Sequence, residues 1–118
     1  MSHVLIVRDK ITSNELKTLA HEQFLNVIKA VVDIEQDIMA VCGEFHSELE
    51  VLLIEKEGSR RENTWGINLR LDKTGEEFVE FDSMINLKPM FGNMSRDIEN
   101  HEVREKVKDV VNKLVKYD

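Results

Sequence analysis

The chain is poor in the residues that would mark an unusual class of protein. Only five of its 118 residues are glycine and one is proline, which excludes the low-complexity and disordered compositions built on those residues. A single cysteine, Cys42, cannot form an internal disulfide. Apolar runs are short. VLIV at 4–7 and VLLI at 51–54 fall far below the ~20 residues that a membrane-crossing helix needs. The opening MSHVLIVRDK has neither the long apolar stretch nor the small-residue cleavage site of a secretory signal. These shortages predict a soluble cytoplasmic protein with no membrane partner, in which the sequon NMS (93–95) arises by chance.

Bases are also scarce over one stretch. Residues 31–57 carry the acids Asp33, Glu35, Asp37, Glu44, Glu48, Glu50, Glu55 and Glu57 against one base, Lys56, so the whole net charge of −7 lies there. A nucleic-acid binder needs clustered Lys and Arg to neutralise phosphates, so no nucleic-acid partner is expected. The acidic band reads as a solvated surface, or else as a face for a cation or a basic partner.

What is present organises into one domain over 1–118. HVLIV (3–7) predicts a short buried strand. Thr12 with Glu15 three residues later is a capping-box pattern. Leu16, Leu19, Ala20, Gln23, Phe24, Val27 and Ile28 follow at helical spacing, which predicts a helix over about 13–30. Residues 30–43 turn to a β pattern in which EQD (35–37) makes a turn or bulge. LEVLLIE (49–55) reads as the next strand. GEFHSE (43–48) is then a hairpin connection or strong bend, because one strand over 38–55 would exceed the usual ~3–10 residues.

TWGINLRL (64–71) alternates, with Trp65, Ile67, Leu69 and Leu71 against Gly66, Asn68 and Arg70. FVEFDSMINL (78–87) alternates as well, and Pro89 ends it. An irregular loop follows, of a length that is commonly functional or mobile. Asn100 caps a final helix whose apolar stripe is Val103, Val107, Val110, Val111 and Leu114. The order β-α-β-β-β-β-α predicts an α+β fold. Short links imply an antiparallel meander of four to six strands, with two amphipathic helices on one face and the other face solvated or buried in a partner.

Three constellations could carry chemistry. In GEFHSELE (43–50), Glu44, His46 and Glu48 are candidate ligands for zinc or manganese. The alternative is an acidic turn with a surface histidine. No H-E-x-x-H signature is present, and alternate side chains on an extended strand lie nearly ~7 Å apart. A Cys42–His46 nucleophile pair is disfavoured, since flanking glutamates raise a thiol's pKa; a small buried apolar role suits Cys42 better.

Asn68 and Arg70 on one strand face Glu80, Asp82 and Asn86 on the next. Asn68, Asp82 and Asn86, with Arg96 from GNMSRD (92–97), are candidates for holding a small ligand on the open sheet face. The alternatives are the polar side of a half-solvated sheet and a turn leading into the last helix. The GNMSRD stretch could also form an anion nest near that helix start. Arg60 and Arg61 of SRRE suit a contact between two copies, basic loop against acidic turn. Trp65 belongs in the core.

The strings KAVVDIEQDIMAVCGEFHSELEVLLIE, WGINL, EFDSMINLKP and GNMSRDIENHEVREK, in that order, resemble a small family of prokaryotic proteins known only as a domain of unknown function. The resemblance covers about residues 11–115. It implies a compact bacterial or archaeal cytoplasmic domain, and brings no activity, cofactor or catalytic residue with it.

Two classes of function follow. One is a non-catalytic cytoplasmic interaction module that self-associates or binds another protein through the uncovered sheet face or an edge strand. The other is a small metal-dependent enzyme or ligand-binding domain centred on the acidic turn 43–50 and using Glu44, His46 and Asp82. They are separated by whether those side chains converge in one concave site.

Overall fold

A computed structural model describes residues 4–22 and 26–118. In chain order the elements are β1 (Leu5–Val7), β2 (Ile11–Thr12), α1 (Ser13–Glu22), β3 (Val27–Asp33), β4 (Ile38–Val41), α2 (His46–Glu57), β5 (Thr64–Arg70), β6 (Val79–Glu80), α3 (His101–Leu114) and β7 (Val115–Lys116). Five strands form one antiparallel sheet in the order β1-β4-β3-β5-β6, and β2 pairs in parallel with β7 in a small second sheet. The α+β architecture and the antiparallel sheet expected from the sequence are both present.

Alternation decides which way each strand residue faces. Ile28, Ala30, Val32, Met39, Val41, Trp65, Ile67 and Leu69 lie on one side, packed with Leu16 and Ala20 of α1 and Val107, Val110, Val111 and Leu114 of α3. These are the two helices expected on one face. Both begin as their caps predict. The Thr12 hydroxyl accepts from the Glu15 N–H at 3.0 Å while the Glu15 carboxylate accepts from the Thr12 N–H at 3.3 Å, a reciprocal capping box. The Asn100 side chain accepts from the Val103 N–H.

The other face corrects the sequence reading most. Val31, Ile38 and Ala40 pack under Leu49 and Leu53 of α2. The segment expected to be a strand over 49–55 is this helix, and the stretch 43–48 is its approach and first turn rather than a hairpin. The sheet face expected to be open is therefore covered. The inward residues of α2 are His46, Leu49, Glu50 and Leu53, a true helical spacing. Two of the four are polar, so the hydrophobic pattern hides the period, and a short apolar run does not separate helix from strand. Burying Leu49 and Leu53 stabilises the layer by about 2 kcal/mol each.

Because α2 crosses over between β4 and β5, β5 joins the far side of β3, and the sheet is not a simple meander. The helix expected over about 13–30 stops at Glu22, and β3 starts at Val27; Gln23 and Phe24 of that expected stripe, and His3 of the first expected strand, lie outside the described residues. The strand expected over 78–87 is only Val79–Glu80, followed by a tight 3-10 turn at Met84–Asn86. The EQD turn lies where expected, between β3 and β4. The buried Asp33 carboxylate accepts there from the Glu35 and Gln36 N–H groups at 2.9 and 3.1 Å. Among the described residues no helix is long and apolar enough to cross a membrane.

Candidate functional site

Sheet register brings the first two residues of the site together. Lys29 on β3 lies directly opposite Asn68 on β5, and both alternate with core residues, so both point toward the α2 side. The first residue of α2, His46, packs down between them and is nearly buried. Its Nε2 sits 2.8 Å from the Ile67 carbonyl oxygen. A carbonyl only accepts, so Nε2 carries the proton and Nδ1 of the neutral ring keeps a lone pair. Burial pushes the His46 pKa below its ordinary value, and the Lys29 charge adds to this, against smaller upward pulls from the Ile67 carbonyl, Asp82 and Asn68.

The third wall comes from the chain after β6. Asn68 Nδ2 donates to Glu80 Oε1 at 2.9 Å and to the Asp82 carbonyl at 3.2 Å. Arg96 Nε donates to Asp82 Oδ1 at 2.6 Å. Lys29, His46, Asn68, Asp82 and Arg96, together with Phe45, Ser47, Met84 and Ile85, line a cavity of about 320 Å³. His46, Asn68, Asp82 and Arg96, four of the residues singled out from the sequence, thus meet in one place.

The other candidates do not join them. Glu44 and Glu48 are exposed, and the Glu48 carboxylate accepts from the Glu44 N–H at 3.1 Å, a local bond at the start of α2. Among the described residues no group of three His, Cys, Asp or Glu could hold a metal ion, so Glu44, His46 and Glu48 are not gathered into a ligand set. Asn86 is fully buried and spends its amide on the Gly66 backbone and on the Arg96 carbonyl. Arg70 pairs with Glu80 at 3.5 Å. Burial lifts the Cys42 thiol to about 11, far from the thiolate that a nucleophile requires.

Two features escaped the sequence reading. Lys29 lines the cavity and has no ion pair of its own among the described residues; its only signal was a lysine inside the otherwise apolar run VIKAVV. The second is a buried ion pair beside the site. Lys88 Nζ lies 3.3 Å from Glu50 Oε2 and 5.4 Å from the centre of the Trp65 ring. The same carboxylate accepts from the Thr64 hydroxyl at 2.6 Å and lies 3.6 Å from Arg61 Nε. Glu50 and Asp33 are thus acids of the 31–57 band that are buried and partnered, and Arg61 meets an acid of its own chain.

The family described as protein of unknown function (DUF5674) matches residues 5–114. The chain belongs to that family. Its extent agrees with the resemblance carried by the strings between residues 11 and 115, and takes in β1 as well. No curated protein and no solved structure matches this DUF5674 chain, so its function is argued from the site.

Proposed function

We propose that the protein is a non-catalytic binding module of the cytoplasm that holds a small organic anion in the cavity between α2, β3 and β5. The observation that carries this reading is Lys29, which lines that cavity and has no ion pair among the described residues. Of the charged groups around it, Lys29 and Arg96 are positive and Asp82 is negative, so with His46 neutral the site holds one net positive charge on a chain of net −7. Asp82 and Arg96 satisfy each other at 2.6 Å; Lys29 is the charge left to attract a ligand.

The first turn of α2 supports the same reading. Its N-cap is Phe45, which makes no side-chain cap hydrogen bond, and Ser47 lines the cavity. Unsatisfied N–H groups and the positive end of the helix dipole favour an anion there. Phe45, Met84 and Ile85 offer an apolar wall for the carbon part of the ligand. The volume is at the small end of ligand sites, which suits a short carboxylic acid. The lone buried free thiol, Cys42, suits a reducing compartment.

The test is an NMR titration of labelled protein with acetate, succinate and inorganic phosphate. The expected result is a saturable shift at Lys29, Ser47 and Asn68 and at the His46 ring, lost in Lys29→Met. Shifts that scatter over the surface, or that survive Lys29→Met unchanged, would overturn the proposal.

A further inference from the structure

One third of the residues in this chain are charged, yet residues 84–95 hold a single charge, Lys88, and it is buried. The segment instead exposes Met84, Leu87, Met90, Phe91 and Met94, at 62%, 41%, 91%, 49% and 65% of their full surface. Phe45, 63% exposed, lines the same cavity as Met84 and is counted with this segment as a sixth exposed apolar side chain of the ridge. An apolar patch of this kind on a soluble domain marks a contact surface.

The ridge is held rigidly from beneath. Lys88 and Asn93 exchange two backbone hydrogen bonds of 2.9 and 3.1 Å. Asn93 Nδ2 lies 2.7 Å from the carbonyls of Asn86 and Asp97, and its Oδ1 accepts from the Glu99 N–H at 2.9 Å. Lys88 pins the middle of the segment to Glu50 of α2. A surface ordered in this way loses little conformational freedom when it is covered.

We infer that this ridge is the contact between two copies of the chain, packed on itself about a two-fold axis. Area supports it: the six side chains offer on the order of 700 Å², taking about 200 Å² for each when fully exposed, close to the ~800 Å² per partner of a standard interface. Charge selects the occupant. Two copies that each carry −7 repel wherever charged surfaces meet, and an uncharged ridge avoids that cost. A patch that meets its own copy needs no complementary surface elsewhere on the molecule. Three methionines give it the adaptability to interdigitate with itself. Phe45 and Met84 also line the anion cavity, but the inference does not require an anion to be bound there.

Sedimentation equilibrium from low micromolar to millimolar protein tests it, with Met90→Glu and Phe91→Glu as disrupting variants and Val51→Glu, at an exposed apolar position of α2, as control. The expected result is a reversible dimer with a micromolar Kd, weakened at least ~tenfold by either ridge variant, unchanged by Val51→Glu, and not weakened by salt. Methyl NMR of the wild-type protein gives a readout free of any folding effect: Met84, Met90 and Met94 should shift with concentration, while the core residue Met39 stays fixed. A wild-type monomer at millimolar concentration with invariant methyl shifts would overturn the inference. So would a dimer that survives both ridge variants, whatever surface it used.

Discussion

The side chain of Asn86 hydrogen-bonds both backbone groups of Gly66. Its Oδ1 accepts from the Gly66 N–H at 2.8 Å and its Nδ2 donates to the Gly66 carbonyl at 2.9 Å. Strand β6 pairs with β5 only at Asn68 and Leu69, so at Gly66 a carboxamide stands in for the missing neighbouring strand. Asn86→Ala would leave both groups buried and unpaired. The expected loss is about 3 kcal/mol, from three lost bonds, the third to the Arg96 carbonyl, and the desolvated Gly66 N–H. Urea denaturation checks it, and a change within the error of the measurement would refute the role.

Gly66 also has no room for a side chain. A Cβ there would sit 2.5 Å from Ser83 Oγ and 2.6 Å from Ser83 Cβ. Gly66→Ala should cost about 2 kcal/mol by forcing the turn at residues 83–86 away from the sheet. Adding Ser83→Gly should recover most of that loss, and a double-mutant cycle measures the coupling directly. Strictly additive losses would mean the contact is not the cause.

The Lys88–Glu50 pair is nearly inaccessible to water, with side chains 1% and 8% exposed. Removing one partner strands the other, so Lys88→Ala should cost about 3 kcal/mol, while Lys88→Met with Glu50→Gln should cost less than either single change. Burial, the largest influence, lowers the Lys88 pKa against the opposing pull of Glu50. The unfolded chain therefore holds that proton to higher pH than the folded one. Stability should rise with pH as it climbs from the lowered folded value toward about 10.4, and Lys88→Met should flatten that rise. Denaturation midpoints between neutral pH and pH 10 give the comparison.

His46 predicts a loss on the acid side. Its folded pKa is lowered, chiefly by burial, so below the ordinary value of about 6.5 the unfolded state binds the extra proton first. Stability is then lost as pH falls, by at most about 1.4 kcal/mol per pH unit for one proton. In His46→Gln this part of the acid sensitivity should disappear. Equal pH slopes for the two proteins between pH 7.5 and 5.5 would show that another group is responsible.

Local signals survived from sequence to structure because they need only neighbouring residues. Thr12 and Glu15 cap α1, Asn100 caps α3, and Trp65, Ile67 and Leu69 alternate into the core. The reading failed where distant contacts override the local pattern. His46 and Glu50 occupy inward positions of α2 because Ile67, Thr64 and Lys88 supply their partners. Without those partners in view, 49–55 looks like a strand. The site shows the same division. His46 drew notice as a candidate metal ligand, and Asn68, Asp82 and Arg96 as candidates for holding a small ligand, but their meeting depends on the register that sets Lys29 against Asn68, and that register is written in no single segment.

Strand β7 and the residues after it carry a consequence for how the chain is made. Val115 lies beside Ile11, and the Asp118 carboxylate accepts from the Ser13 hydroxyl at 2.9 Å, 105 positions away. During vectorial synthesis on a ribosome, α1 emerges early and can pack on β3 soon afterwards, but Ile11 and Ser13 meet residues 115–118 only once α3 and β7 have been made. The start of α1 is therefore pinned by bonds that reach across about a hundred positions, and these are among the last contacts the nascent chain can make.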